Sequence, residues 1–307
     1  MTTLLDRLAG QKLLVVTGKG GVGKSAVAAT LGRLLCAAGK RVLLLEIDPR
    51  ESLYALLGVP PTGGQVVDVE PGLAVQNLQP RAVLNEVVAE RLPIRMLVDR
   101  VLRSEIYRHF ADGAPGLKEM AVLGHALRIV RGLAGPEAPQ ADLVILDAPA
   151  TGHGISLLSA PGLVAEVIRD GPFGAMGVEL AAFVADPAAC GVVVVTLAEE
   201  MPVQETIELL ATMRDRLGRG PEVVVVNGLY PTIDGRIEGL AAGDPAVELW
   251  IRRREVNDAE LSRLSSVWDG PRALLPLVPR DRGPDLVEAL EISLAAELDR
   301  EPRGVAP

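Results

Sequence analysis

The sequence predicts an α/β fold, a doubly wound and mostly parallel sheet with a helical insertion. Three observations carry this prediction: short uninterrupted apolar runs, amphipathic segments between them, and a glycine-rich turn that joins the first run to the first helix. Uninterrupted apolar runs are typical of parallel strands buried on both faces. Strands that alternate with helices form a parallel sheet, and ligands bind at the carboxyl ends of its strands.

Six strands and four helices follow from these patterns. Glycine marks helix C-termini because it adopts the left-handed conformation, and an Asp–Pro pair marks an N-terminus. The predicted helices run from Lys24 to Gly39, from Pro202 to Gly218, from Asp244–Pro245 onward, and from Pro284 to Leu298. The predicted strands are Leu13–Thr17, Val42–Ile47, Leu143–Leu146, Val192–Leu197, Val223–Val226 and Leu274–Val278.

The alternation stops between residues 81 and 135, where the pattern indicates two or three helices. We therefore expect a sheet domain made of residues 1–80 and 136–300, interrupted by a helical insertion at 81–135. Residues 168–187 add a second, glycine-interrupted amphipathic piece. Together with the insertion they are the candidate surface for a client or partner. Residues 301–307 are expected to form a frayed tail.

Composition excludes several classes of protein. Of the 307 residues, 49% are apolar, which is enough for a large core and argues against a disordered chain. The formal net charge of −9 argues against a nucleic-acid partner, because neutralising phosphates requires basic residues. The chain has neither a long apolar run nor a signal-peptide pattern, and Cys36 and Cys190 are too few for a disulfide framework. We expect a cytoplasmic protein without stable membrane insertion.

Residues 18–25, Gly-Lys-Gly-Gly-Val-Gly-Lys-Ser, fit the phosphate-binding pattern G-x-x-x-x-G-K-[ST]. The context is right, because an apolar strand precedes the loop and an amphipathic helix follows it. Glycines let backbone N–H groups turn toward phosphate, and the helix N-terminus adds partial positive charge. The loop predicts a P-loop NTPase in which Lys24 bridges the β- and γ-phosphates and Ser25 binds Mg²⁺ directly. Its nucleotide-binding residues are Gly18, Lys19, Gly20, Gly21, Val22, Gly23, Lys24, Ser25 and Ala26.

Residues 147–158, DAPATGHGISLL, resemble the switch II signature of the ArsA-like ATPases. Ala148 stands where that family usually has threonine. Lys19, directly after the first glycine of the loop, is similar to the lysine of the deviant Walker A loop of the same branch. The resemblance spans about residues 12–299, with the motifs in the family's order. The shared switch II residues are Asp147, Pro149, Thr151, Gly152 and His153.

The resemblance implies catalytic roles for Asp48, Lys24 and Lys19. Lys19 would reach across a dimer interface to the partner's phosphates, as an arginine finger does. Asp48 lies in a segment similar to switch I and would orient, and deprotonate, the attacking water. Asp48 and Asp147 would also hold Mg²⁺ through water. The chain departs from the family after Pro49, where Arg50-Glu51-Ser52 replaces small residues and a His or Ser.

Three further segments resemble the parts of the family that surround the nucleoside. Glu199 matches the acidic residue that closes over nucleotide. Asn227 matches the residue that reads the adenine edge, because its amide can both donate and accept a hydrogen bond. Pro279 and Arg280 lie in a segment similar to the loop that covers the base.

ATP and Mg²⁺ follow as expected cofactors, and a homodimer or a heterodimer with a related ATPase as the expected assembly. The leading hypothesis is an ATPase whose closure on ATP controls binding of a client, with membrane-protein targeting as one such role. Four alternatives stay open: a metalloid-efflux motor, a ParA/MinD-type positioning ATPase, a nitrogenase-like reductase, and a slow-hydrolysing binding module in a heterodimer. The position of the cysteines disfavours the first and third, and an acidic C-terminal segment disfavours the second.

Overall fold

A computed structural model describes residues 2–47, 50–91, 95–105, 116–134, 138–149, 154–167, 171–232 and 244–300. These residues contain eight strands: β1 Leu13–Thr17, β2 Val42–Glu46, β3 Val67–Glu70, β4 Leu73–Asn77, β5 Leu143–Asp147, β6 Cys190–Leu197, β7 Val223–Leu229 and β8 Arg272–Pro276. They form one sheet in the order β3-β4-β2-β5-β1-β6-β7-β8. All neighbouring strands are parallel except β3 and β4.

Helices cover both faces of this sheet, which confirms the predicted doubly wound fold. One face carries α1 Leu4–Gly10, α2 Lys24–Ala37, α3 Ser52–Leu57 and α11 Pro284–Leu298. The other carries α4 Pro80–Arg91, α5 Arg95–Arg103, α6 Leu117–Val130, α7 Gly154–Val167, α8 Gly171–Ala185, α9 Glu200–Leu217 and α10 Pro245–Ser265. Across the described ranges, no helix has both the length and the apolar character needed to cross a membrane.

The central strands are buried on both sides because successive side chains point to opposite faces. In β1, Leu13 and Val15 enter the core beneath α6 to α10, whereas Leu14 and Val16 enter the core beneath α2 and α11. Both faces of the strand are therefore apolar, which explains why β1, β2, β5, β6 and β7 appear in the sequence as uninterrupted runs.

The edges of the sheet depart from the sequence prediction. The last strand was expected at Leu274–Val278, but β8 lies at Arg272–Pro276, because it is an edge strand in which only alternate residues are buried. β6 begins at Cys190 and β7 continues to Leu229, so both are longer than predicted, while β2 ends at Glu46. No strand was predicted for the β3–β4 hairpin, whose short strands join at Pro71–Gly72. Its signal was this Pro-Gly turn rather than an apolar run.

An ion pair joins the starts of two strands at the amino edge of the sheet, opposite their carboxyl ends. Arg41 precedes β2 and Asp142 precedes β5, and Arg41 Nη2 lies 2.6 Å from Asp142 Oδ1. Arg41 Nε also donates to Asp142 Oδ2 at 3.1 Å. Hydrogen bonds from the Arg41 side chain and backbone lower the pKa of Asp142 to about 2. The pair therefore joins two neighbouring strands and favours the charged carboxylate.

The Asp142→Asn variant is expected to lose stability at neutral pH, and this loss should shrink in acid. The pKa of Asp142 falls from an ordinary value of 3.8 to about 2 in the folded chain. Its contribution is therefore complete above pH 3.8 and disappears as the pH falls toward 2. Urea unfolding of both proteins across this range measures the difference. Asp68→Asn, at an exposed position of β3, is the control. A difference that stays constant with pH would contradict the prediction.

Candidate functional site

Two glycines of the phosphate loop, Gly18 and Gly23, lie very close to neighbouring strands. Gly18 has φ 143°, and a Cβ at this position would lie 2.1 Å from the carbonyl oxygen of Val195 in β6. Gly23 has φ 92°, and a Cβ there would lie 2.3 Å from Nδ2 of Asn227 in β7. The positive φ values disfavour any other residue at both positions, and at Gly18 the backbone contact also leaves no room for a Cβ. The loop between β1 and α2 is therefore held tightly over the carboxyl ends of β6 and β7.

Lys24 is the first residue of α2 and its side chain is buried. Its Nζ donates a hydrogen bond to the carbonyl oxygen of Lys19 at 2.8 Å. The ammonium group thus folds back over the phosphate loop that precedes it. This is the position that the sequence motif predicts for a cation that binds phosphate oxygens.

The phosphate loop and the predicted switch II meet through Ser25 and Asp147. Ser25 Oγ donates to Asp147 Oδ2 at 2.5 Å, although the two residues are 122 positions apart in the chain. Asp147 is the last residue of β5, directly beside β1, and its side chain is buried. The parallel pairing of β1 and β5 therefore brings a hydroxyl and a carboxylate together at the carboxyl edge.

This pair of oxygen ligands fits Mg²⁺ bound to a nucleotide. Magnesium is usually held by one or two carboxylates, water and phosphate oxygens rather than by a cage of protein ligands. The described part of the chain contains no group of three or more His, Cys, Asp or Glu residues that could hold a metal by itself. Ser25 and Asp147 could thus hold Mg²⁺ only together with phosphate and water.

Glu46 anchors the segment that follows β2. Its buried carboxylate accepts hydrogen bonds from the N–H of Ser52 at 2.7 Å and from the N–H of Leu53 at 3.1 Å. These are the first free amides of α3, where a negative charge is favourable. Glu51, before them, has a left-handed conformation with φ 50°. Glu46 therefore fixes both ends of the segment similar to switch I, whose Asp48 lies outside the described residues.

Lys19 makes an ion pair within the chain. Its Nζ lies 2.6 Å from Oε1 of Glu205 in α9, and the two side chains are 32% and 42% exposed. Exposed ion pairs contribute at most about 1 kcal/mol, so another anion could replace this one at little cost. Glu205 carried no signal in the sequence, because a single Glu on a surface helix matches no motif.

Asn227 lies closer to the phosphate loop than its predicted role requires. Its Nδ2 donates to the carbonyl oxygen of Val22 at 3.0 Å. The amide donor that was expected to face adenine therefore contacts the backbone of the loop. Glu199 occupies the N-cap position of α9, and its Oε1 lies 3.8 Å from Arg253 Nη1.

Pro279 and Arg280 are exposed in the loop after β8. Residues 278–285, which form this loop and the start of α11, line an open pocket of about 550 Å³. The Arg280 N–H donates to the carbonyl oxygen of Val278 at 2.9 Å and tightens the loop.

Direct contacts therefore join Lys19, Lys24, Ser25, Asp147 and Asn227 to the phosphate loop or to its neighbours. Glu199, Pro279 and Arg280 follow β6 and β8 at the same edge of the sheet. Pro149 lies just beyond β5. The other predicted residues, Asp48, Thr151, Gly152 and His153, lie outside the described residues, as does the 301–307 tail.

Both cysteines lie at the opposite, amino edge. Cys190 is the first residue of β6, and burial raises the pKa of its thiol to about 12. Cys36 lies near the end of α2, where its Sγ is 3.4 Å from the carbonyl oxygen of Pro71. Burial also raises the pKa of the Cys36 thiol. Both thiols lie away from the phosphate loop, so neither cysteine supports a metalloid or cluster site beside that loop.

Comparisons with known proteins identify the family of this chain. A family model described as anion-transporting ATPase matches residues 11–170, the span from the start of β1 through the predicted switch II. The ATPase BagA of Mycobacterium tuberculosis is 32% identical over 236 residues, which cover 74% of this chain and 67% of that protein. An arsenical pump-driving ATPase of Escherichia coli is 26% identical over 264 residues, which cover 79% of this chain and 42% of the relative. By the family match and by the mycobacterial relative, the chain belongs to the ArsA-like family of anion-transporting ATPases.

Proposed function

We propose that this protein binds Mg–ATP at the carboxyl edge of β1 and β5 and hydrolyses it across an interface between two subunits. The observation that carries the proposal is the hydrogen bond between Ser25 and Asp147, because it joins the phosphate loop to the proposed Mg²⁺ carboxylate. Relatives named as ATPases support the same activity. Phosphoryl transfer needs little more than positioned charges, and these residues supply them.

In this proposal, nucleotide binding replaces contacts within the chain. Lys24 would exchange the Lys19 carbonyl oxygen for phosphate oxygens, and Ser25 and Asp147 would hold Mg²⁺, Asp147 through water. Bound Mg²⁺ supplies neutralisation of the charge on the β- and γ-phosphates. Asp48 orients the attacking water and accepts its proton as the bond to the γ-phosphate forms and ADP leaves.

The subunit interface involves Lys19 in this proposal. Its ammonium leaves Glu205 and binds the phosphates of the second subunit, so full activity requires two chains. ATP would then hold the pair closed, and loss of phosphate would let it open. The partner is a second copy of this chain or a related ATPase.

The helical insertion at 81–135, together with 168–187, is the proposed client surface. Several apolar side chains on its helices are exposed, as are those of the neighbouring α7. Closure of the subunits would change the position of these helices and thereby the affinity for a client. The exposed residues are Met96, Leu97, Leu163, Val167 and Val178.

A metalloid-efflux motor is the second candidate, because several relatives carry the name arsenical pump-driving ATPase. The locations of Cys36 and Cys190 at the amino edge argue against a thiolate site near the nucleotide. The ATPase with a protein client therefore stays the leading proposal.

The Lys24→Ala variant is expected to lose ATP hydrolysis by roughly 10²- to 10³-fold in kcat/KM, because it removes a charged donor from the transferred phosphate. Phosphate release measures the rate. Lys12→Ala is the matched control, since Lys12 is an exposed lysine just before β1 at the amino edge. Equal activity of Lys24→Ala and the wild type would contradict the proposed site.

The Asp48→Asn variant separates an enzyme from a slow-hydrolysing binding module. We expect hydrolysis to fall by about 10²- to 10⁴-fold, because the attacking water loses its base. ATP affinity, measured by isothermal titration calorimetry, should stay near that of the wild type, since binding uses the phosphate loop. If the variant hydrolyses ATP at the wild-type rate, the enzymatic assignment fails and the binding module is favoured.

Lys19→Ala and Glu205→Gln test the proposed interface in opposite directions. Specific activity of the wild type should rise with protein concentration, and Lys19→Ala should abolish this rise. Glu205→Gln frees Lys19, so half-maximal activity should occur at a concentration up to about fivefold lower, the effect of an exposed ion pair. Glu208→Gln, at an exposed position on the same helix, is the control. Hydrolysis that is independent of concentration and of Lys19 would show that a single subunit suffices.

A further inference from the structure

Asn257 connects two loops at the carboxyl edge of the sheet. It lies in α10 and is 4% exposed, so its amide is almost completely removed from water. Its Nδ2 donates to the carbonyl oxygen of Ala198 at 2.9 Å, and its Oδ1 accepts from the N–H of Tyr230 at 2.9 Å. Both ends of the amide are therefore used, one on each loop.

The two loops carry residues of the base side of the proposed site. Ala198 directly precedes Glu199, and Tyr230 follows Asn227 at the end of β7. A third segment joins them, because the Leu277 N–H donates to the carbonyl oxygen of Leu229 at 2.7 Å. That segment continues to Pro279 and Arg280. A chain of hydrogen bonds centred on Asn257 thus links all three segments that resemble the family's nucleoside contacts.

The same face of α10 holds the segment after β7 at two more points. Trp250 Nε1 donates to the carbonyl oxygen of Pro231 at 2.9 Å, and Arg254 Nη1 donates to that of Tyr230 at 2.8 Å. Residues 250, 254 and 257 share a helix face because of their spacing. The rings of Tyr230 and Trp250 also pack edge to face, with centroids 5.0 Å apart. Asn257 connects the segment after β7, which Trp250 and Arg254 also hold, to the loop after β6.

The phosphate end of the site is held by different contacts. Gly18 and Gly23 fix the loop by backbone approach to β6 and by contact with Asn227, and Lys24 bonds to the loop itself. Removing the Asn257 amide would leave the buried Ala198 carbonyl and the partly buried Tyr230 N–H without this partner, and the two loops are expected to move to reach water. This movement changes the spacing around the nucleoside while the phosphate loop keeps its own anchors.

We propose that Asn257 is a positioning residue for the nucleoside end of the nucleotide. It does not touch the nucleotide; it sets the spacing of the three base-side segments and thereby the affinity for ATP and the preference for a purine. Because this role presupposes the ATP site proposed above, its test must separate the two.

The test measures Kd for Mg–ATP and Mg–UTP by isothermal titration calorimetry on the full chain. Asn257→Ala is expected to raise the Kd for ATP about tenfold and to leave that for UTP nearly unchanged, because pre-organisation of the purine contacts is lost. Asn257→Gln keeps both the donor and the acceptor on a side chain that is one methylene longer, so a smaller shift in the same direction is expected. This variant also serves if the alanine variant does not fold.

Gln11→Ala is the matched control. Gln11 is also 4% exposed, and its Nε2 donates to the carbonyl oxygen of Pro187 at 2.9 Å, but it lies at the amino edge before β1. The Gln11→Ala variant should lower the melting temperature, as Asn257→Ala does. Its Kd for ATP and its preference for ATP over UTP should stay those of the wild type.

The outcomes distinguish the two proposals. A wild type that binds no ATP overturns the proposed function. A wild type that binds ATP without preference over UTP overturns the purine role of the three segments. If the wild type prefers ATP, unchanged Kd values in both Asn257 variants overturn the positioning role alone. Equal weakening of ATP and UTP, or the same shift in Gln11→Ala, would assign the effect to general stability and overturn it as well.

Discussion

At the end of β1 the chain passes so close to β6 that a Cβ at Gly18 would lie 2.1 Å from the carbonyl oxygen of Val195. Because only glycine fits there, the loop can turn over the edge of the sheet and start α2 directly above β1. This start places Lys24 beside the loop and Ser25 beside Asp147. The strand order places the carboxyl ends of β5 and β6 on the two sides of β1, next to this loop.

The parts of the fold that the sequence predicts are those determined locally. The glycine pattern of residues 18–25 indicates the backbone conformation of the phosphate loop. The buried strands can be recognised in the sequence as apolar runs, because both of their faces are apolar. β3 and β8 could not be placed in this way, because they are edge strands whose position depends on pairing with a neighbour: β8 buries only alternate residues, and no residue of β3 is fully buried. Helix boundaries at Gly218 and Asp244–Pro245 are confirmed, since the capping conformations are properties of those residues.

Side-chain partners at the site could not be predicted where they belong to distant helices. Glu205 meets Lys19, and Asn257 meets Ala198 and Tyr230, only because α9 and α10 pack on the same face of the sheet. Neither residue type is unusual on a helix, so neither sequence position stands out. Asn227 was found by its motif, but its contact with Val22 depends on how closely the loop approaches β7. The residue was predictable and its partner was not.

The two ends of the proposed site therefore differ in how they are held. Backbone geometry holds the phosphate end, and few substitutions are compatible with it. Side chains of α9 and α10 hold the base and interface end through hydrogen bonds and an ion pair that other groups can replace. In an ATPase that works as a switch, differences between states arise where contacts are exchangeable. The phosphate end could thus stay unchanged within a family while the side-chain contacts of α9 and α10 vary from member to member.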